Sequence, residues 1–158
     1  MRRLKYAGVV LLSVFLIAGC EKQDATYSEP EPEEENREVR IYYIDDATAE
    51  PVSEEVLVSD ENDIWSALQE KGILEEDCEL LNFEVDPEKR QIDLDFNTAL
   101  GDRIRSFGTT GETEILGCLI NTYLDAYECD GIRLTEEGAL LETSSGADFD
   151  GYSGRIEF

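Results

Sequence analysis

No histidine occurs anywhere in this chain. That excludes Ser-His-Asp and Cys-His nucleophilic catalysis, zinc sites with a histidine ligand, and a histidine pH switch. Basic residues are scarce too: 13 Lys and Arg stand against 38 Asp and Glu, a formal net charge of −25 over 158 residues. Nucleic-acid binding needs a basic face that displaces counterions from phosphates, and this field has the opposite sign. Direct electrostatic docking on anionic lipid is disfavoured for the same reason. The four cysteines contain no CxxC spacing, so a cysteine zinc site or a redox motif has no support. No metal, no cofactor and no nucleic-acid partner is expected, and any catalysis would rest on carboxylates alone.

What is present begins with a leader. Arg2, Arg3 and Lys5 precede an apolar stretch over residues 9–17, interrupted only by Ser13. It is shorter than the roughly 20 apolar residues of a membrane span and fits the h-region of a secretory signal. Ile17-Ala18-Gly19-Cys20 then resembles the bacterial lipobox, in which the cysteine is diacylated and becomes the mature N-terminus. Two acyl chains anchor stably, each buried methylene contributing about 0.8 kcal/mol. The expected organisation is a lipoprotein signal peptide over residues 1–19, a lipidated Cys20 and acidic linker over 20–38, and one domain over 39–158. Without Arg2, Arg3 and Lys5 the remainder carries 10 basic and 38 acidic residues. Seven of the seventeen residues from Glu21 to Arg37 are acidic, and Pro30 and Pro32 lie among them. Such a segment buries too little apolar surface to offset its ordering entropy, and self-repulsion extends it. It reads as a tether lifting the domain off the membrane.

In the domain, Val39, Ile41 and Tyr43 alternate with Arg40, Tyr42 and Ile44, which predicts a strand with apolar groups on both faces and therefore a central one. Val56-Leu57-Val58 adds a short extended piece. Ser59, Asp60 and Asn62 offer N-caps for a helix carrying Ile64, Trp65 and Leu68, with Gly72 at its end. Leu81, Phe83 and Val85, a turn over residues 86–90, and Ile92, Leu94 and Phe96 read as a hairpin. A short helix fits residues 100–104. Thr109 with Glu112 resembles a capping box ahead of the strongest helix, whose apolar stripe is Ile115, Leu116, Leu119, Ile120, Tyr123 and Leu124 and whose end is Gly131. Strands over 132–134 and 139–142 follow, and the tail closes on Ile156 and Phe158. The order is β-α-β-β-α-β plus a terminal hairpin. The class is α+β, a small mixed sheet with two helices packed on one face.

Ile92-Asp93-Leu94-Asp95-Phe96, the helix with Asn121-Thr122 inside it, Ile132-Arg133-Leu134 and its glycine turn together resemble the GerM domain family. The opening Ile41-Tyr42-Tyr43-Ile44 and the tail residues Leu141-Glu142-Thr143 and Asp150-Gly151-Tyr152 share that likeness, which covers essentially the whole domain. The resemblance implies a compact α+β fold like the ring-building modules of sporulation and secretion complexes, often lipid-anchored, with a scaffold or assembly role in sporulation or germination and no catalysis. Some members carry tandem copies; this chain has room for one.

Four groups of residues bear on function. Asp93 and Asp95 share a strand face near Glu84, and paired carboxylates suit glycan hydrolysis, although a catalytic pair also needs a pocket that separates their pKa values. A solvated face is the plainer account of them. Asp148, Asp150 and Gly151 resemble a fragment of a calcium loop without its register or distal Glu. Outside the membrane a disulfide is permitted; Cys78 and Cys129 are the candidate pair, with full reduction equally acceptable, and Cys118 reads as a buried thiol in the main helix. Trp65 reads as core, while Tyr42 and Ile44 are candidates for an exposed partner surface. The expected protein is non-enzymatic, anchored through Cys20 on the extracytoplasmic face of the cell membrane, and binds a protein or cell-wall component. A carboxylate-dependent cell-wall glycan hydrolase is the alternative. A two-lobed solute binder would need a larger folded part.

Overall fold

The structure, a computed structural model, describes residues 36–158. The signal peptide, Cys20 and the linker up to residue 35 lie outside the described residues. Nine elements follow in order: β1 (Arg37–Ile44), β2 (Pro51–Val58), α1 (Glu61–Glu70), β3 (Leu80–Asp86), β4 (Gln91–Phe96), α2 (Thr98–Ser106), α3 (Thr109–Ala126), β5 (Gly131–Glu136) and β6 (Ala139–Leu140). The class is α+β, as the patterning implies. The strands form two sheets, however: an antiparallel β1–β2 pair and a mixed sheet in the order β3-β4-β5-β6, in which only β4 and β5 run parallel. Three helices accompany them, and the short helix read over residues 100–104 is α2.

The split has a physical cause in β2. Glu54 and Glu55 sit in its middle, so it shows no apolar alternation, yet it pairs with β1 over eight residues from Arg37↔Val58 to Ile44↔Pro51. β1 is consequently not a central strand. On its other side lies α3, where Thr122 Oγ1 accepts a hydrogen bond of 3.0 Å from the Tyr42 N–H. One face of β1 gives Val39 and Ile41 to the core, while Tyr42 and Ile44 on the other are only half-buried.

α1 forms as its sequence dictates. The Asp60 carboxylate accepts from the amides of Asn62 and Asp63 at 2.8 and 3.1 Å, and Ile64, Trp65 and Leu68 are buried. Gly72, at φ 73°, ends it: the Gly72 N–H donates to the Gln69 carbonyl at 2.9 Å and the Ile73 N–H to Leu68 at 3.0 Å. α3 ends the same way with a glutamate in the left-handed position. Glu128 has φ 52°, its N–H donates to Asp125 and that of Cys129 to Leu124. Gly131, expected to stop this helix, is instead the first residue of β5.

β3 departs from simple alternation. Leu80 lies opposite Phe96 and Asn82 opposite Asp95, so Leu81 is an extra residue, a β-bulge, and it is exposed. Leu80, not Leu81, therefore joins Phe83 and Val85 on the core side. α3 runs through the middle of the core. Leu116, Leu119, Ile120 and Tyr123 are fully enclosed, each aliphatic side chain contributing about 1.5–3 kcal/mol by its burial. Among the described residues no helix is long and apolar enough to cross a membrane.

Candidate interaction site

The C-terminal segment is a strap laid along α3. Arg155 pairs with Asp125; the Ile156 main chain pairs with Asn121, whose Oδ1 accepts from its N–H at 3.0 Å and whose Nδ2 donates to its carbonyl at 2.8 Å. Phe158 packs over Gly117, where a Cβ would come within 2.6 Å of the ring. Residues 125, 121 and 117 lie four apart, one stripe of a helix, so the strap runs antiparallel to α3 along a single face. Upstream, Ser153 and Ile132 exchange two main-chain hydrogen bonds of 2.8 and 2.9 Å, which fastens the strap to the free side of β5.

Tyr42, expected as a free partner contact, is consumed by this seam. Its hydroxyl donates to Asp125 at 2.7 Å and accepts from Arg155 at 3.1 Å, and its ring stacks against Phe158. Partial burial would raise its pKa, but the guanidinium groups of Arg40 and Arg155 outweigh that and hold it below the ordinary phenol value. Ile44 is half-buried. Tyr42 is a joint inside the domain, whereas Ile44 lines a surface groove beside Lys71.

Glu112 is the second correction. The N-cap of α3 is Gly108, which has no side chain to offer, so the Thr109–Glu112 capping box does not form. The Glu112 carboxylate is 2% exposed and turns to the tail. It accepts from the Ser144 N–H and hydroxyl, both at 2.8 Å, and from Ser145. Burial pushes its pKa up; the Ser145 and Ser144 donors more than offset this and leave it below the ordinary carboxylate value. Asn121 and Glu112 thus carry the tail. For Asn121 the signal in the sequence is polarity inside an apolar helix, since a buried polar group requires a partner; Glu112 stands in a polar run ahead of the stripe and offers none.

Asp93 and Asp95 do share the outer face of the mixed sheet, in a shallow groove of about 430 Å³. Neither is merely solvated. Asp93 accepts from Arg133 at 2.6 Å and from the Tyr152 hydroxyl, and Asp95 accepts from Thr135 at 2.6 Å and from the Gly138 N–H at 2.8 Å. A second groove, of about 330 Å³, contains Lys71 and Arg103. Lys71 is bound to Glu54 at 2.6 Å, and Arg103 donates to the carbonyls of Ile73 and Gly72 and to Glu75. The pattern is general. Residues 36–158 carry nine basic side chains against 31 acidic ones. Arg37 is occupied by the Ala126 carbonyl and the other eight by carboxylates.

Cys78, Cys118 and Cys129 are free and buried, so the Cys78–Cys129 bridge is not formed. Cys78 lies beside Glu79, whose carbonyl accepts from Asn97 just past the end of β4; Cys129 precedes Asp130, which bonds Arg90 just before its start. Arg90 and Asn97 lie seven residues apart along this strand, about 23 Å, whereas bridged Cα atoms lie within about 7 Å. Burial pushes the Cys118 thiol up to about 12. Trp65 is core, its indole N–H donating to the Cys78 carbonyl at 3.0 Å. Asp148 accepts from the Asp150 amide in a local turn, and the described residues contain no group of three or more metal-ligating side chains.

No protein-family profile matches the chain, and no curated protein matches it in sequence. Solved structures do. The tandem GerMN domains of the sporulation protein GerM from Bacillus subtilis superpose with a TM-score of 0.53 at 17% identity, covering 76% of this chain and 46% of that one. The first GerMN domain of the same protein gives 0.50 at 16% identity over 77% of this chain and 94% of that one. This chain therefore spans about half of the tandem structure. The described residues have the GerMN-domain fold.

Proposed function

We propose that this chain is a non-catalytic interaction module of the GerM type, tethered through a diacylated Cys20 to the outer face of the cytoplasmic membrane. It acts there in sporulation, germination or envelope assembly by holding a protein or cell-wall partner. The observation that carries the reading is the shared fold with GerMN domains of a sporulation protein. The leader ending in Ile17-Ala18-Gly19-Cys20 supports the anchor. The arrangement of Asp93 and Asp95 supports a non-catalytic role: each carboxylate is already committed to a neighbouring strand, and the two share one shallow groove.

Two measurements on one set of strains test this. The wild-type chain should sediment with membranes after a high-salt wash, and Cys20→Ser should move to the soluble fraction. Purified protein should leave peptidoglycan unchanged. A Cys20→Ser protein that stays in washed membranes overturns the anchor. Turnover of peptidoglycan that vanishes in Asp93→Asn or Asp95→Asn overturns the module in favour of a glycan hydrolase.

A further inference from the structure

The mixed sheet has one edge that no described residue covers. On β4 the carbonyls of Arg90 and Phe96 face β5, accepting from Gly131 and Glu137, whereas the Asn97 N–H faces the other way and donates to Glu79. Main-chain groups alternate in direction along a strand, so Ile92 and Leu94 also turn toward β5. Their partners across the β3–β4 pair are Val85 and Phe83. In an antiparallel pair two opposed residues either exchange both hydrogen bonds or neither. The N–H and C=O of Phe83 and Val85 therefore point outward, away from β4, along a strand whose only strand neighbour among the described residues is β4.

The two faces flanking this row differ in chemistry. On the inner side Phe83 and Val85 are half-buried, and Phe83 packs on Tyr127 with ring centroids 4.8 Å apart. On the outer side stands exposed Glu84, beside the acidic face of β4. A strand added here would place alternate side chains beside Phe83 and Val85 and the intervening ones beside Glu84. Apolar residues suit the first set and basic residues the second. A second copy of this chain does not fit: pairing β3 with β3 sets glutamate near glutamate between two bodies that each carry a surplus of 22 acidic side chains over residues 36–158. The fold supplies no cation of its own for this edge, since all nine are occupied.

We infer that the open edge of β3 takes up an extended segment of a partner protein in which apolar and basic residues alternate, bound as an additional strand of the mixed sheet. This rests on reading the chain as an interaction module and names the surface and the partner chemistry.

The test uses the isotope-labelled full chain and a synthetic peptide of alternating lysine and valine. Binding should slow amide exchange at Phe83 and Val85 by about tenfold or more, with shift changes centred on β3. Val85→Pro removes one outward N–H without touching the β3–β4 ladder, and Glu84→Lys reverses the flanking charge; each should weaken binding about tenfold. Equal affinity for a lysine-only peptide, or unchanged affinity in a Val85→Pro protein that still melts cooperatively, overturns the inference. Should Val85→Pro fail to fold, the exchange rates of wild type with and without peptide decide alone: no slowing at Phe83 overturns it. A protein that passes the membrane and peptidoglycan assays yet leaves β3 unprotected loses this inference while the module reading stands.

Discussion

At one edge of the mixed sheet, β5 is closed by β6 through Thr135↔Leu140 and Glu136↔Ala139, and further along by Ser153 on Ile132. At the other, β3 ends in outward amides guarded, among the described residues, by a bulge at Leu81 and the charge of Glu84. Both edges belong to one sheet, so the contrast lies in what covers them. The closed edge needs covering because β5 is apolar, with Gly131, Ile132 and Leu134 buried. The tail covers it, fastened to α3 by Glu112, Asn121 and Asp125. The open edge is kept from self-association by charge, which repels a like copy and leaves a basic partner unopposed.

The largest perturbation removes both edges together. Leu119 is fully buried on α3, and Leu119→Asp places an unpaired charge there at a cost of several kcal/mol, against a typical domain stability of about 5–15 kcal/mol. The cooperative melt should vanish; a melt near wild type would mean that α3 does not back the sheet.

A smaller change should open the closed edge alone. Asn121→Ala deletes both hydrogen bonds to Ile156 and should lower stability by about 2 kcal/mol. Amides of Ile132 and Ser153 should then exchange faster while the β3 pattern is unchanged. Equal acceleration in β3 would show that the two edges are not independent.

Glu112 sharpens the contrast through pH. Its folded-state pKa lies below the ordinary carboxylate value. Its contribution is therefore complete above the unfolded value of about 4.3 and is lost as pH falls from there through the folded value. Protection of Ser144 and Ser145 amides should decline over that acid range in wild type. Glu112→Gln should flatten the dependence and lower stability at neutral pH by about 1 kcal/mol. A wild-type profile indifferent to acid would contradict the latch.

Gly117→Ala is the mildest case. Alanine favours the helix by about 0.5–1 kcal/mol, but its methyl group displaces the terminal Phe158 ring from α3. Stability should change by less than about 1 kcal/mol while the Phe158 ring resonances move. Unmoved resonances would place Phe158 elsewhere.

Local signals made much of this fold readable. The cap at Asp60, the stop at Gly72, the hairpin over β3 and β4 and the stripe of α3 all arise within a few residues of one another. What was hidden depends on contacts distant in sequence. β2 carries Glu54 and Glu55 where alternation would be sought, and it becomes a strand only because β1 is beside it. Leu81 continues a period-two pattern that the bulge breaks. Tyr42 gave an aromatic signal that suits a surface or a joint equally, and its partners, Asp125 and Arg155, lie 83 and 113 residues away. The spacing of Glu112 from Thr109 points to the amides nearest in sequence, whereas its donors are 32 and 33 residues on. Acid pairs such as Asp93 and Asp95 could be placed on one face from spacing, but their occupation by Arg133 and Thr135 required knowing that β5 lies alongside β4.

The contrast between the edges is tested most directly by residue-resolved amide exchange on the unliganded full chain. Phe83 and Val85 should exchange rapidly, with Glu84 slow between them, while Ile132 and Ser153 are protected together. Phe83 and Val85 protected to the same degree as Ile132 would mean that the β3 edge is already covered by the chain itself, and would contradict the account.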